Sequence, residues 1–506
     1  MTSFTKLTEE QQPYIYINAV NKLNKINDNI YGGFTEHMGR CIYGGIYDPD
    51  SHLSDSHGFR TDVISALREL SVPVIRYPGG NFTATYHWQD GIGPRSSRPS
   101  RPSLAWAGYE SNAFGTDEFM LWCEKVGAQP FLCLNFGTGT LDEALAWLEY
   151  CNSDQNTYYA NLRRQNGREK PWGVKYWALG NEVWGPWQVE QMSKEAYATK
   201  AYQWAKALKL LDPSIELVLC GETGYSSWDV YVLKECVRWS LHDLGGSTTA
   251  SLIAMHSIHI YTGSEEHFPN VTAPLSAERA IEMAAGFIDL ARIENGVPHT
   301  IPRQTICFDE WNVWMPDRAP GEQGAEERYT LSDALAVGVW LNVLVRQSKY
   351  IGMATIAQNV NVIAPLLTTA EGLVKQTTWW PLCLFSRYMR GHLLAVNVRC
   401  PEYEGPTQPE WIRGTVATPF LDVSATINED KIVSMVVVNI HDSRDFETPL
   451  EGVTAGDVQI YHVTGESPKV GNTQEKTEVK VDESRWDGKG PFIFRKHSIY
   501  MLRWQT

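Results

Sequence analysis

Residues 176–187 read YWALGNEVWGPW, and this stretch sets the expected fold of the whole chain. Its first half is an apolar, aromatic run with the length of a buried strand, and the run ends at Gly180. Asn181 and Glu182 follow directly, so we expect the Glu182 carboxyl group at the C-terminal end of a strand. Because glutamate has a low strand propensity, a chemical role explains this position more readily than a structural one.

Residues 305–314, which read TICFDEWNVW, repeat this design. An apolar strand leads into Asp309 and Glu310, and a tryptophan follows them. Two glutamates at the ends of two strands are the arrangement that hydrolyses a glycosidic bond. The alternative is that each glutamate is a charge at a helix N-terminus or a partner in a buried ion pair. Because the two glutamates occupy matching positions, we favour the catalytic interpretation.

Short apolar runs alternate with helical patterns eight times along the chain. The runs are residues 30–34, 74–77, 130–134, 176–179, 216–219, 254–260, 305–308 and 353–357. This alternation predicts an α/β fold in which parallel strands close into a (β/α)8 TIM barrel, with functional groups on the loops after the strands. A doubly wound open sheet is the alternative. It expects a G-x-G-x-x-G loop after the first strand, and residues 31–34 lack that spacing.

Beyond about residue 390 the runs become short, β-branched and separated by turn residues, which predicts an all-β sandwich of jelly-roll-like form. Residues 14–20 (YIYINAV) are rich in strand formers but precede the barrel pattern, so we expect this N-terminal strand to join the sandwich. The predicted domains are an N-terminal strand (1–29), a catalytic barrel (30–390) and a C-terminal sandwich (391–506). Structural support is favoured for the sandwich over a separate carbohydrate-binding role.

The chain has 506 residues and a formal net charge of −15 at pH 7. This length accommodates a barrel of about 250 residues and a smaller module. The negative charge disfavours nucleic acids and anionic membranes as partners. No apolar run reaches the roughly 18 residues that a membrane-spanning helix needs, and the N-terminus shows no secretory signal. We therefore expect a cytoplasmic protein.

The nine cysteines are scattered and odd in number, and no C-x-x-C pair occurs, so free thiols in a reducing compartment are expected rather than disulfides or a zinc site. His256 and His259 are three residues apart on a predicted strand and point to opposite faces, which disfavours a shared metal. No G-x-S-x-G motif for a serine nucleophile occurs. Arg95, Arg98 and Arg101 could bind phosphate, but a stiff, solvated loop that shapes a pocket is favoured.

Several motifs of this chain are similar to those of a known family. They are YGGFTEHMGRCIYGGIYDP (31–49), VIRYPGGNF (74–82), YHWQDGIGPR (86–95), WALGNEVWGPWQ (177–188), HSIHIY (256–261), FDEWNVW (308–314) and AQNVNVI (357–363). The chain resembles the α-L-arabinofuranosidases of glycoside hydrolase family 51 almost from end to end. The resemblance implies an eight-stranded barrel with a C-terminal β-sandwich that includes the N-terminal strand. It also implies retaining hydrolysis of terminal α-L-arabinofuranosyl units, arabinofuranosyl oligosaccharides as ligands, no cofactor and a hexamer.

The same resemblance implies roles for individual residues. Glu182 looks like the general acid/base and Glu310 like the nucleophile, and a retaining pair needs its carboxyl groups about 5 to 5.5 Å apart. The pocket around the furanose ring is implied to contain Glu36, Arg76, Asn81, Asn181, His259, Tyr261 and Gln358, with Trp106 and Trp314 near its mouth.

Two departures from the family pattern affect the expected linkage preference. Many members carry an acidic residue where this chain has Trp184, and the stretch after Arg95 is rich in Ser, Arg and Pro. A β-xylosidase or endo-β-glucanase of the same architecture is an alternative function, since many glycosidases share this barrel. A non-catalytic sugar-binding protein is another alternative, but it gives no reason for two strand-end glutamates.

Overall fold

The computed structural model describes residues 2–239, 251–319, 324–454 and 456–506. These residues form a closed parallel barrel followed by an all-β module, as the sequence predicts. Within these ranges, no helix has both the length and the apolar character that crossing a membrane requires.

The strands of the N-terminal part of the chain range from two to twelve residues. In chain order they are β1 (Thr2–Lys6), β2 (Tyr14–Lys25), β3 (Gly32–Phe34), β4 (Val74–Tyr77), β5 (Arg101–Pro102), β6 (Tyr109–Glu110), β7 (Gln129–Cys133), β8 (Tyr176–Leu179), β9 (Glu216–Leu219), β10 (Met255–Thr262), β11 (Thr305–Val313), β12 (Ile351–Ile356), β13 (Leu366–Thr368) and β14 (Leu373–Lys375).

The C-terminal part contains further strands. They are β15 (His392–Cys400), β16 (Leu421–Ile427), β17 (Ile432–Asn439), β18 (Phe446–Thr448), β19 (Leu450–Glu451), β20 (Val458–Thr464), β21 (Lys480–Trp486), β22 (Phe492–Phe494) and β23 (Ser498–Gln505).

The α-helices lie between the barrel strands, and several begin at a side-chain cap. Ser193, for example, accepts a hydrogen bond from the backbone N–H of Ala196. The helices are α1 (Thr61–Leu70), α2 (Thr116–Val126), α3 (Leu141–Asn152), α4 (Tyr158–Gln165), α5 (Lys194–Leu211), α6 (Ser227–Cys236), α7 (His267–Thr272), α8 (Leu275–Glu294), α9 (Leu331–Arg346) and α10 (Trp379–Tyr388).

Eight parallel strands close the barrel in the order β3-β4-β7-β8-β9-β10-β11-β12, and β12 pairs with β3 to complete the ring. The predicted (β/α)8 barrel is therefore confirmed. Side chains from alternate strand positions, such as Val74 and Cys307, form an apolar cluster inside it. Two residues further along these strands, Arg76 and Asp309 form an ion pair with an Nε to Oδ2 distance of 3.4 Å. The barrel interior thus changes from apolar to charged towards the C-terminal ends of the strands.

Five of the eight predicted barrel strands differ from the observed bounds by one or more residues, and the first and seventh strands show physical reasons for the difference. Ile30 and Tyr31 belong to a 3-10 helix (Asp28–Tyr31) rather than to the first strand, because the Asn27 side chain caps this turn by accepting from the N–H of Asn29. The strand predicted to end at residue 308 continues to Val313. It does so because β11 pairs with β10 on one side and β12 on the other, with register shifts near Glu310.

The all-β module is built on one sheet of nine strands in the order β19-β2-β15-β16-β17-β23-β20-β21, and β1 pairs with β15. Strand β2 pairs with β15 and β19, so the prediction that the N-terminal strand joins the C-terminal module is confirmed. We propose domain boundaries at residues 1–29, 30–390 and 391–506, because β2 ends before the barrel begins and β15 starts directly after α10.

Helix α9 joins the barrel to the C-terminal sheet, and every one of its residues is buried. At its C-terminal end, Arg346 Nη1 lies 2.8 Å from Asp422 Oδ2 on β16, and its Nη2 lies 2.8 Å from Glu278 Oε2 on α8. Asn342 donates to Asp422 Oδ1 at 2.7 Å. One buried ion cluster therefore connects two barrel helices with the sheet.

We predict that Asp422→Ala destabilises the protein by about 3 kcal/mol, because it leaves Arg346 with one carboxylate fewer in a buried site. The measurement is the free energy of unfolding in urea. Asp482→Ala is the matched control, since its pair with Lys480 leaves both side chains 62% exposed and such pairs contribute little. Equal losses in the two variants would contradict the proposed importance of the buried cluster.

Candidate active site

Glu182 follows strand β8 and has a φ of +41°, in the left-handed region that costs a non-glycine residue on the order of 1–3 kcal/mol. Both of its carboxylate oxygens have partners. Oε1 lies 3.0 Å from His259 Nδ1, and Oε2 accepts a hydrogen bond of 3.0 Å from Trp187 Nε1. The unusual backbone thus directs this carboxylate towards strand β10.

Glu310 lies on β11 and is buried. Its Oε1 accepts a 2.6 Å hydrogen bond from Arg76 Nη1, and its Oε2 accepts a 2.7 Å hydrogen bond from the Tyr261 hydroxyl. A side chain at Gly80 would bring its Cβ to 3.0 Å from Glu310 Oε1, so a glycine at this position keeps that oxygen accessible. The two donors hold the carboxylate in one orientation.

The carboxylates of Glu182 and Glu310 meet across one gap. A carboxylate oxygen of each residue and a ring nitrogen of His259 all lie within 4.8 Å of one another. Carboxyl pairs this close act by direct attack on the substrate, whereas pairs about 6.5–9.5 Å apart leave room for a water molecule between the carboxylate and the sugar.

A buried charge network lies behind this pair. Asp309 Oδ1 is 3.2 Å from His259 Nε2 and also accepts a hydrogen bond from the Ser257 hydroxyl. Burial raises the pKa of Asp309, but the positive charges of Arg76 and His259 outweigh this effect and hold it below its ordinary value. Burial lowers the pKa of His259, but the charges of Glu310 and Asp309 outweigh it and raise the pKa to about 10. At neutral pH the site therefore contains an imidazolium beside the two glutamates.

Glu182, His259 and Glu310 are also close enough together to be considered as a metal site. Both ring nitrogens of His259 already have carboxylate partners, however, with Nδ1 3.0 Å from Glu182 Oε1 and Nε2 3.2 Å from Asp309 Oδ1. Arg76 and Tyr261 already donate to both oxygens of Glu310. The chemistry of these donors fits a hydrogen-bonded charge cluster better than a metal centre.

Glu36 is a third carboxyl group in the lining of the site. Its Oε1 accepts hydrogen bonds from Trp106 Nε1 at 3.0 Å and from the N–H of Phe82 at 3.2 Å, and its Oε2 accepts from Gln358 Nε2 at 3.2 Å. Burial, followed by the negative charge of Glu310, raises the pKa of Glu36 to about 7. This carboxyl group therefore changes its charge near neutral pH.

The structure brings all eleven predicted site residues together. Nine of them line a cavity of about 460 Å³, and Arg76 and Asn181 lie directly behind it, with Arg76 Nη2 donating to Asn181 Oδ1 at 2.6 Å. The Asn181 Nδ2 and Gln358 Oε1 atoms are buried without a protein partner. The nine lining residues are Glu36, Asn81, Trp106, Glu182, His259, Tyr261, Glu310, Trp314 and Gln358.

Sequence reasoning gave no role to Asp309 or Trp187. Asp309 stands directly before Glu310 in an apolar strand, and a charged residue at such a position is a signal for a buried ion pair. For Trp187 the signal is Gly185, two residues earlier. A Cβ at position 185 would lie 2.6 Å from the Trp187 ring, so only glycine fits at this position. The glycine thus allows the ring to fold back to Glu182.

The three arginines of the loop after β4 have carboxylate partners. Arg95 and Arg98 pair with Glu118, and Arg101 pairs with Asp90 at 2.9 Å. These pairs favour the interpretation of a stiffened loop over that of a phosphate site.

The raised pKa of Glu36 predicts a pH-dependent stability. The unfolded chain releases this proton near pH 4.5 and the folded protein near pH 7. The protonated Glu36 therefore adds its full contribution to the free energy of unfolding below pH 4.5, and this contribution is lost as the pH rises through about 7. We expect Glu36→Gln to remove on the order of 3 kcal/mol from the pH dependence of unfolding between pH 4.5 and 8. The measurement is urea unfolding at several pH values. If the free energy of unfolding of wild type and of Glu36→Gln changed with pH in the same way, the raised pKa of Glu36 would be refuted.

Comparison with known proteins identifies the family of the chain. Residues 66–270 match the family described as Alpha-L-arabinofuranosidase 1 domain, and residues 309–498 match the Alpha-L-arabinofuranosidase C-terminal domain. The chain is 63% identical over 506 residues to alpha-L-arabinofuranosidase C of Emericella nidulans, covering 100% of both chains. It is 36% identical over 438 residues, 83% of each chain, to the intracellular exo-alpha-(1->5)-L-arabinofuranosidase of Halalkalibacterium halodurans.

Solved structures lead to the same family. The thermostable GH51 alpha-L-arabinofuranosidase from Thermotoga petrophila superposes with a TM-score of 0.87 at 35% identity, covering 98% of this chain and 100% of that chain. Sequence identity above 60% over the full length, together with a shared fold over nearly the whole chain, establishes the family. The chain belongs to the α-L-arabinofuranosidases of glycoside hydrolase family 51.

Proposed function

We propose that this enzyme is a retaining, exo-acting glycosidase that removes terminal, non-reducing α-L-arabinofuranosyl residues from arabinan, arabinoxylan and related hemicellulose oligosaccharides. The observation that carries the proposal is the approach of the Glu182 and Glu310 carboxylates to within 4.8 Å in a pocket lined by aromatic and amide side chains. That separation fits a double displacement.

In the first step, a carboxylate oxygen of Glu310 attacks the anomeric carbon while Glu182 gives its proton to the departing glycosidic oxygen. The bond to the leaving sugar breaks, and a glycosyl ester of Glu310 forms. Arg76 and Tyr261 hold Glu310 in one orientation for this attack, because both donate hydrogen bonds to it.

In the second step, Glu182 takes a proton from a water molecule, whose oxygen attacks the anomeric carbon and releases Glu310. The product keeps its α configuration because two displacements invert the centre twice. The unpartnered Asn181 Nδ2 is a suitable donor for the sugar 2-hydroxyl, and Glu36 and Gln358 are suitable for the hydroxyls at the far end of the ring.

The proposal also covers location and assembly. All nine cysteines are buried and unpaired, which supports a cytoplasmic, reducing environment. The relative from Halalkalibacterium halodurans is named as intracellular. We further propose a homohexamer, on the resemblance to the family alone.

Two variants test the proposed roles of the glutamates. Glu182→Ala is expected to lose most activity on natural oligosaccharides but to turn over aryl α-L-arabinofuranosides with added azide, because a good leaving group needs no proton and azide replaces the water that Glu182 activates. Glu310→Ala is expected to recover no retaining turnover. Initial rates and the anomer of the azide product are measured.

The wild-type enzyme is tested in parallel with aryl α-L-arabinofuranoside, α-L-arabinopyranoside and β-xyloside. Hydrolysis of the furanoside alone is expected. A preference for the xyloside would replace the proposal by that of a β-xylosidase, and an absence of turnover on all three would favour a sugar-binding protein. Rescue of Glu310→Ala instead of Glu182→Ala would exchange the two roles.

Asp309→Asn tests the buried network behind the reacting pair. The variant loses a charge-assisted hydrogen bond of about 1.5–3 kcal/mol, so we expect kcat/KM to fall by about ten- to a hundredfold. Because the Asp309 charge raises the pKa of His259, the alkaline limb of the pH–rate profile should move to lower pH. A purely structural role for Asp309 would lower the rate without moving this limb.

A further inference from the structure

A loop of the C-terminal module lies against the barrel beside the active site. It comprises residues 401–420, between β15 and β16. The Tyr403 ring stacks on Phe268 of α7 with centroids 4.5 Å apart, and Arg279 Nη2 of α8 donates to the backbone carbonyl of Thr415 at 2.6 Å. Nearer to the active site, the Trp411 ring contacts the Tyr225 ring edge-on at 5.9 Å. The loop is therefore held in place by the barrel.

This loop lines a second cavity of about 490 Å³, which we call the outer cavity. Gln408 from the loop lines one side, and Thr223 and Tyr225 from the β9–α6 connection line another. The outer cavity shares His259, Tyr261 and Trp314 with the catalytic pocket. The two cavities are therefore neighbours that share three lining residues.

The β9–α6 connection, which lines the outer cavity, is hydrogen-bonded to residues around Glu182. Trp184 lines the catalytic pocket, and its Nε1 donates to the carbonyl of Gly221 at 2.9 Å, where the β9–α6 connection begins. The backbone N–H of His259, the partner of Glu182, donates to the carbonyl of Glu222 in the same connection at 2.8 Å. The connection that carries Tyr225 is therefore attached to the acid/base side of the site.

The lining of the outer cavity suits a neutral saccharide. Among the described residues that line it, none is Asp, Glu, Lys or Arg; aromatic rings stand beside hydroxyl and amide groups such as those of Thr223, Ser276 and Gln408. Aromatic faces with a few polar groups are what a sugar ring requires. Two other clefts differ: one contains Arg387, Arg390 and Arg503, and the other contains Arg318, Arg328 and Lys469.

We propose that the outer cavity binds the saccharide on the leaving side of the scissile bond, so that the C-terminal module contributes to substrate selection. This inference rests on the proposed function. It assigns Tyr225 and Gln408 as substrate-binding residues outside the catalytic pocket. A substrate with one sugar and an aryl group is too short to use them, whereas an oligosaccharide extends into the cavity.

The test compares kcat/KM for an aryl α-L-arabinofuranoside with that for α-1,5-linked arabino-oligosaccharides, the disaccharide and the tetrasaccharide. Wild-type enzyme is expected to prefer the tetrasaccharide. Tyr225→Ala should lower kcat/KM for the tetrasaccharide by about tenfold, the effect of losing one aromatic contact, and leave the aryl substrate unchanged. Gln408→Ala, at an exposed loop position, should also lower kcat/KM for the tetrasaccharide and not for the aryl substrate, but by a smaller factor.

Tyr158→Ala is the control, because Tyr158 is 74% exposed on α4 and does not line either cavity. It should leave all three substrates unchanged. Equal kcat/KM of wild-type enzyme for the disaccharide and the tetrasaccharide would overturn the inference, and so would equal losses of Tyr225→Ala on aryl and oligosaccharide substrates. If wild-type enzyme does not cleave the aryl substrate at all, the proposed function fails and the inference falls with it.

Discussion

The active site depends on the burial of one arginine inside the barrel. Arg76 is 1% exposed, and a buried cation is tolerated only when it is paired and hydrogen-bonded. Its partners are Asp309, Glu310 and the amide oxygen of Asn181. This single requirement brings residues of strands β4 and β11 and of the segment that follows β8 to one point. The apolar layer below them closes the barrel and excludes water, which strengthens each of these interactions.

The charges around Arg76 also explain how two nearby carboxyl groups can have different roles. Arg76 and the protonated His259 supply two positive charges, and Asp309 and Glu310 supply two negative charges. The charges of these four groups sum to zero without Glu182. The two carboxyl groups also have different hydrogen-bond partners: Glu310 accepts from Arg76 and Tyr261, whereas Glu182 contacts His259 and Trp187.

The sequence predicted the fold well where the chemistry is local, and it missed features that depend on contacts between distant segments. The alternation of strands and helices identified the barrel, and the strand-end position of Glu182 identified a carboxyl group at its rim. The extension of β11 beyond residue 308 depends on pairing with both neighbouring strands. Trp187 reaches Glu182 only because the chain folds back after Gly185. The role of residues 401–420 beside the barrel has no local signal.

By itself, the sequence determined the kind of protein. The strand period, the helix period and the carboxyl groups at strand ends specify a barrel with catalytic groups at the C-terminal ends of its strands. These patterns can be read locally because they are set by neighbours along the chain. Only the tertiary structure decided that residues 182 and 310 lie within 4.8 Å, that His259 is protonated between them, and that the C-terminal module reaches the site. Distances and electrostatic effects depend on which segments meet in space, and closure of the barrel determines which segments meet.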